Sequence, residues 1–189
     1  MKVAGLLLAG GESRRMGQNK ATLIFHGKPL WEHQLETLRS LGLMEIFVSA
    51  RRDPEWRPND TVFVPDEVPS RGPLSGIAAA LKKTEISHLL VLAIDLPFMT
   101  ESFLRSVVGS ASQERGMVPQ LGNRHEPLAA IYPREAAIEA GRALASADFS
   151  LRSLTGELVA FGKLRVVPVT QYEGKLFRNI NEPADLKSC

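Results

Sequence analysis

A chain of 189 residues is long enough to bury one substantial core, hiding roughly 70% of the surface its unfolded form would expose. Its 23 lysines and arginines against 21 aspartates and glutamates leave a formal net charge of +2, and no basic block exceeds pairs such as Arg14-Arg15, Arg51-Arg52 and Lys82-Lys83, which argues against a generic nucleic-acid binder. The one cysteine, Cys189, excludes an intrachain disulfide and a cysteine-built metal site, and it suits a reducing, cytoplasmic location.

The chain opens on an apolar run, Val3 to Ala9, about half the length a membrane span needs. Arginines follow where a signal peptide would carry small cleavage-site residues, so the run is expected to be a buried strand and no membrane association is expected. The next pattern, "LWEHQLETLRSLG", repeats Leu30, Trp31, Leu35, Leu38 and Leu41 at helical spacing, with Gly42 placed to cap its end. Strands are expected at "EIFVSA" and "TVFVP", a helix over Ser75 to Thr84 with Ser75 as a fair N-cap, then a strand at "HLLVLAID". Thr100 is placed to cap a helix running to Ala111. Beyond it come a less clear strand in "EPLAAIY", a helix from Arg134 to about Leu144, a strand "LRVVPV" and a closing stretch "KLFRNINEPADL". None of the apolar runs alternates cleanly, so strands covered on both faces are expected. The βαβ order predicts a three-layer α/β/α sandwich with a mainly parallel sheet, formed as a single domain over 1–189.

Ligands of open α/β sheets sit at the carboxyl ends of the strands. Gly10-Gly11 and a basic loop follow the first strand, Ser49 to Arg52 close the second, Asp66 follows the third, and Asp95 the fourth. Glycines, cations and isolated aspartates at one edge are the composition of a nucleotide and metal site. The loop "LAGGESRRMGQNK" matches neither glycine motif of dinucleotide folds nor the Walker pattern: Gly10 and Gly11 are adjacent, and Gln18 follows Gly17. Adjacent glycines still let backbone N–H groups approach a phosphate, and Arg14, Arg15 and Lys20 add positive charge, although an ordinary solvated turn would share that composition.

The same loop resembles the signature of nucleotidyltransferases. "HGKPLWEHQLETL", Pro65-Asp66, "GPLSG" at Gly72 to Gly76, "IDLPF" around Asp95, "HEP" and "FRNINEPADL" extend the resemblance, in register, to the molybdenum cofactor guanylyltransferases across nearly the whole chain. The resemblance implies a Rossmann-like nucleotidyltransferase fold that transfers GMP from GTP to molybdopterin-bound molybdenum cofactor. By it, Leu8, Ala9, Gly10 and Gly11 line the nucleotide, Arg15 and Lys20 hold its triphosphate, and Asp66 meets the nucleoside. Gly72 and Gly76 would frame the base and Asp95 would bind Mg²⁺, making Arg15, Lys20 and Asp95 the catalytic group. Ser49, counted by the resemblance among the nucleotide contacts, stands where relatives often carry Asn, and Asn19 where Asp is common. Asn179 and Asn181 are candidate acceptor or metal contacts. GTP, molybdopterin or its molybdenum cofactor, and molybdoenzymes or their chaperones are the implied partners.

The residues support this chemistry independently. A phosphate acceptor is already ionised at neutral pH, so four scattered histidines and no strong general base are sufficient. Asp95 lies too far ahead of Thr100 to serve as that helix's cap, which favours a metal role. The alternatives are the same reaction with CTP, another small-molecule nucleotidyltransferase of this fold, or a non-catalytic nucleotide-binding module, which loss of Lys20 or Asp95 would have signalled.

Overall fold

The computed structural model describes residues 1–10, 20–66 and 70–180. Strand β1 (Val3–Leu8) is buried at every residue. Its side chains alternate between two cores, as the strand's two-residue period requires: Val3 and Leu7 enter one, Ala4, Leu6 and Leu8 the other. A short hairpin, β2 (Ile24–Phe25) and β3 (Lys28–Pro29), turns through His26 and Gly27, both at positive φ, 49° and 80°. That pair of conformations fits a right-twisted two-residue turn.

Helix α1 (Leu30–Arg39) follows and buries Leu30, Gln34, Leu35 and Leu38. Trp31 is half-buried and stacks on Trp56 at 5.3 Å between ring centroids. The helix stops short of Leu41, and Gly42, at φ 67°, turns the chain away as its position suggests. Next come β4 (Ile46–Ala50), β5 (Val62–Pro65) and α2 (Pro73–Lys83). Here Ser75 is not the N-cap. Gly72 holds that place with φ 66°, Pro73 fills the first turn where no N–H is needed, and Ser75 Oγ reaches back to accept from the Arg71 N–H at 2.7 Å.

Strand β6 (His88–Ala93) leads to α3 (Glu101–Gly109), whose first turn is capped by Thr100 accepting from the Phe103 N–H at 3.3 Å. Strands β7 (Gly116–Leu121), β8 (Arg124–His125) and β9 (Ile131–Pro133) follow, then α4 (Ala137–Ala145), α5 (Leu151–Ala160) and β10 (Leu164–Pro168). Of "EPLAAIY" only the end is strand, because Pro127–Ala129 first form a 3-10 turn.

The main sheet runs β10-β7-β9-β6-β1-β4-β5, with β8 on β7. It is parallel except around β8 and β9, which pair antiparallel to their neighbours. Helices α1 and α3 pack on one face, and α2, α4 and α5 on the other, which makes the three layers. Full coverage holds for β1, β4 and β6 but not for the edge strands, where β5 and β10 are partly exposed. Among the described residues no helix is long and apolar enough to cross a membrane.

Candidate active site

Strand register assembles the site. Leu8 lies opposite Ser49 on β4 and opposite Ala93 on β6, while Ala50 lies opposite Pro65 on β5. The residues just beyond these strands therefore emerge at one edge: Ala9 and Gly10, Asp66, and Asp95. Backbone bonds continue the alignment past the strand ends, from Ala9 N–H to Ser49 O at 2.9 Å, Ile94 N–H to Leu8 O at 3.0 Å and Asp66 N–H to Ala50 O at 3.2 Å. After β1 the chain moves toward β4 and β5, then returns to β6 on the opposite side. The gap between β1 and β6 is thus the topological switch point where such sheets bind ligands.

Two groups of side chains stand at this edge. In the first, Asp66 accepts from Ser49 Oγ at 2.8 Å through one carboxylate oxygen and from Ser70 Oγ at 3.4 Å through the other. Ser49 is fully buried, so its hydroxyl acts on Asp66 rather than on solvent. Gly10 passes against the same carboxylate, and a Cβ there would lie 3.2 Å from Asp66 Oδ2. Gly76 is buried beneath them. A Cβ on it would come within 2.7 Å of Leu8 Cδ2 and 3.0 Å of Ser49 Cβ, so glycine lets α2 close on β1 and β4. Gly72, exposed and at positive φ, opens the same helix.

In the second group, Lys20 Nζ lies 3.3 Å from Asp95 Oδ2 across the switch point. Their side chains are 18% and 23% exposed, shielded enough to strengthen a charge contact yet open enough for a ligand to reach. Asp95 Oδ1 is buried and has no hydrogen-bond partner among the described residues. A hard carboxylate oxygen with an unfilled lone pair fits Mg²⁺, which takes one or two protein carboxylates and completes its shell with phosphate oxygens and water. Among the described residues no three histidine, cysteine, aspartate or glutamate side chains converge to hold a metal. The backbone of Asp95 is tied down as well: its carbonyl accepts from the Ile180 N–H at 3.0 Å, which sets the exposed Asn179 beside this turn.

Leu8, Ala9, Gly10, Lys20, Ser49, Asp66, Gly72, Gly76, Asp95 and Asn179 are therefore gathered around the ends of β1, β4, β5 and β6 and the start of α2. Gly11, Arg15 and Asn181 lie outside the described residues. Three contributors are not apparent from motifs. Ser70 Oγ donates to Asp66 from four positions further on, His33 Nε2 lies 3.0 Å from Pro97 O, and Gln34 bonds both sides of the Asp95 turn. Gln34 had a readable signal: it interrupts the apolar stripe Leu30, Leu38 on the core face of α1.

A mainly parallel α/β/α sheet with Gly10, a lysine and a carboxylate at its switch point has the arrangement of a nucleotide-binding site. The model of the MobA-like NTP transferase domain matches residues 5–161, and the chain belongs to that family. It is 34% identical over 186 residues to a probable molybdenum cofactor guanylyltransferase of Opitutus terrae, covering 97% of this chain and 92% of that protein. A second protein of that name, from Pyrococcus horikoshii, is 30% identical over 194 residues, covering 98% of each. The solved structure of molybdopterin-guanine dinucleotide biosynthesis protein A from Archaeoglobus fulgidus superposes with a TM-score of 0.69 at 28% identity, covering 100% of this chain and 96% of that one.

Proposed function

We propose that this chain transfers GMP from GTP to the terminal phosphate of molybdopterin carrying the molybdenum cofactor. A phosphate oxygen of the acceptor attacks the α-phosphorus, the bond to the β-phosphate oxygen breaks, and pyrophosphate leaves with the electron pair. The observation that carries the reading is the Lys20–Asp95 contact at the switch point, beside the Asp66 and Ser49 pair. One end of this edge is charged for phosphates; the other presents fixed polar groups for a nucleoside.

Lys20 supplies a point charge to the triphosphate. Arg15 is assigned the same task by the family pattern. Asp66, its two oxygens oriented by Ser49 and Ser70, is preset to accept hydrogen bonds from the nucleoside. Gly72 and the backbone of "GPLSG" face the base. Asp95 would hold Mg²⁺ through its unpartnered Oδ1, and the family pattern assigns Asn179 and Asn181 to the acceptor or the metal. When bound, that ion neutralises the crowded phosphates and stabilises charge on the leaving pyrophosphate. No proton must be removed from an ionised phosphate acceptor, so positioning and electrostatics suffice.

Base choice tests the reading. GTP should bind in preference to ATP, CTP and UTP, because a site built on hydrogen bonds to one base leaves its groups unpaired with another, at about 1 to 3 kcal/mol per group. Calorimetric titration with each Mg-nucleotide is the measurement. CTP binding more tightly than GTP would transfer the assignment to a cytidylyl reaction.

A further inference from the structure

Helix α1 buries three leucines and one amide on the same face, Leu30, Leu35, Leu38 and Gln34, all without solvent exposure. Packing alone would favour another leucine at position 34, since Gln34 Oε1 is buried with no hydrogen-bond partner and so carries an uncompensated desolvation cost. The other end of the amide is engaged twice. Nε2 donates to Ala93 O at 3.1 Å and to Leu96 O at 2.9 Å. Both partners are carbonyls, so the nitrogen must be the atom that faces them.

Those carbonyls are the residues that bracket Ile94 and Asp95. Neither needs Gln34 to be satisfied, because Ala93 O also accepts from the Leu96 N–H at 3.3 Å and Leu96 O from the Met99 N–H at 3.1 Å. The amide therefore adds a fixed distance between α1 and the two ends of the turn. His33 Nε2, 3.0 Å from Pro97 O, extends the brace by one residue, and the Ile180 N–H holds Asp95 O from the C-terminal side. With the backbone held at 93, 95, 96 and 97, the Cα–Cβ direction of Asp95 is fixed, and the Lys20 contact at 3.3 Å orients the carboxylate at its end.

We infer that Gln34 is a positioning residue that aims Asp95 at the cation and phosphates, an assignment that rests on the metal reading of Asp95 given above. A polar group buried at a cost in the core of α1 persists because it holds the ligand's backbone. Partners of this kind, one step removed from a metal, change affinity or activity by about 10- to 100-fold when lost.

The test is Gln34→Leu, with Gln34→Met as a second apolar variant of different shape and Asp95→Asn run in parallel. Four quantities are read: thermal unfolding without nucleotide, Mn²⁺ affinity by electron paramagnetic resonance in the presence of a non-hydrolysable GTP analogue, kcat, and KM for GTP. Expected for both apolar variants is a melting temperature at or above the parent's, Mn²⁺ affinity and kcat each lower by about 10-fold or more, and KM for GTP changed less than about twofold. Parental Mn²⁺ affinity and kcat in a folded variant would overturn the proposal, as would losses that only track a lowered melting temperature in both. If Asp95→Asn abolishes Mn²⁺ binding while Gln34→Leu is parental, the positioning role alone fails. If Asp95→Asn itself binds Mn²⁺ and transfers normally, the metal reading fails and takes this role with it.

Discussion

Lys20 Nζ stands 3.3 Å from Asp95 Oδ2, joining the residue that follows the glycine loop to the carboxylate that ends the fourth parallel strand of the sheet core. The two charges neutralise each other across the gap between β1 and β6. On the proposed function, a triphosphate entering that gap would offer Lys20 a more highly charged partner and leave both oxygens of Asp95 for a cation. The two opposite charges would then be held together until substrate separates them.

Replacing Lys20 with Ala should weaken triphosphate binding and turnover together, since the charge meets phosphate in both ground and transition states. Loss of one charge-assisted contact is worth about 1.5 to 3 kcal/mol, or roughly ten- to hundredfold. Folding should weaken less than binding does, because the ion pair it breaks keeps some access to water. Nucleotide titration and thermal unfolding on the same preparation check both halves; normal turnover with a lowered melting temperature would make Lys20 structural.

Asp95→Asn keeps the side-chain size but removes the charge. Transfer at saturating Mg²⁺ should drop by orders of magnitude, comparable to the ~3 to 4 kcal/mol lost when one preorganised electrostatic group is deleted. The melting temperature without nucleotide should hold or fall slightly, because the charge buried at Oδ1 is removed but the ion pair with Lys20 is lost with it. Near-parental transfer would exclude Asp95 as the metal ligand.

Gly76→Ala places a methyl group against Leu8 and Ser49, both parts of strands that have no room to yield. Overpacking of this kind costs about 1 to 3 kcal/mol, and for a chain this size each kcal/mol lowers the melting temperature by about 2 to 4 °C. Because Ser49 orients Asp66, GTP affinity should fall with it. A variant as stable as the parent would show that α2 can move off the sheet without consequence.

Burial holds the His88 imidazole below its ordinary range, with the Glu135 charge opposing it. In the unfolded chain His88 returns to about 6.5 and binds more protons than the folded one. Stability should therefore be fully present above about pH 6.5 and decline as the pH falls through the lower folded value. Urea midpoints of parent and His88→Gln at about pH 8 and about pH 5.5 read the difference, which should be flatter in the variant. An equal acid loss in both would assign it to other groups.

The parts of the fold that the sequence discloses are those where burial is two-sided. Strands β1, β4 and β6 stand out because every residue is covered, α1 because of its apolar stripe, and α3 because its stripe and the Thr100 cap agree. Strand β7 does not stand out: Pro119 sits inside it, and proline in a run usually signals something other than a central strand. Helix α5 has Leu151, Leu154 and Leu158 at helical spacing, diluted by Ser153, Thr155 and Gly156. The convergence of Gly10, Ser49, Asp66 and Asp95 follows from parallel topology and so is legible. The bonds from Ser70 to Asp66 and from Gln34 to the Asp95 turn depend on loop paths and helix rotation that no motif encodes.

Guanylyl transfer stands or falls on the identity of its product. The parent protein is incubated with Mg²⁺, purified molybdopterin carrying molybdenum, and each of GTP, CTP, ATP and UTP labelled at the α-phosphate. Label should pass to the pterin from GTP, with one pyrophosphate released for each dinucleotide formed, and not detectably from the other three. Labelled cytosine dinucleotide in place of the guanine form, or pyrophosphate release with no labelled pterin product, would contradict it.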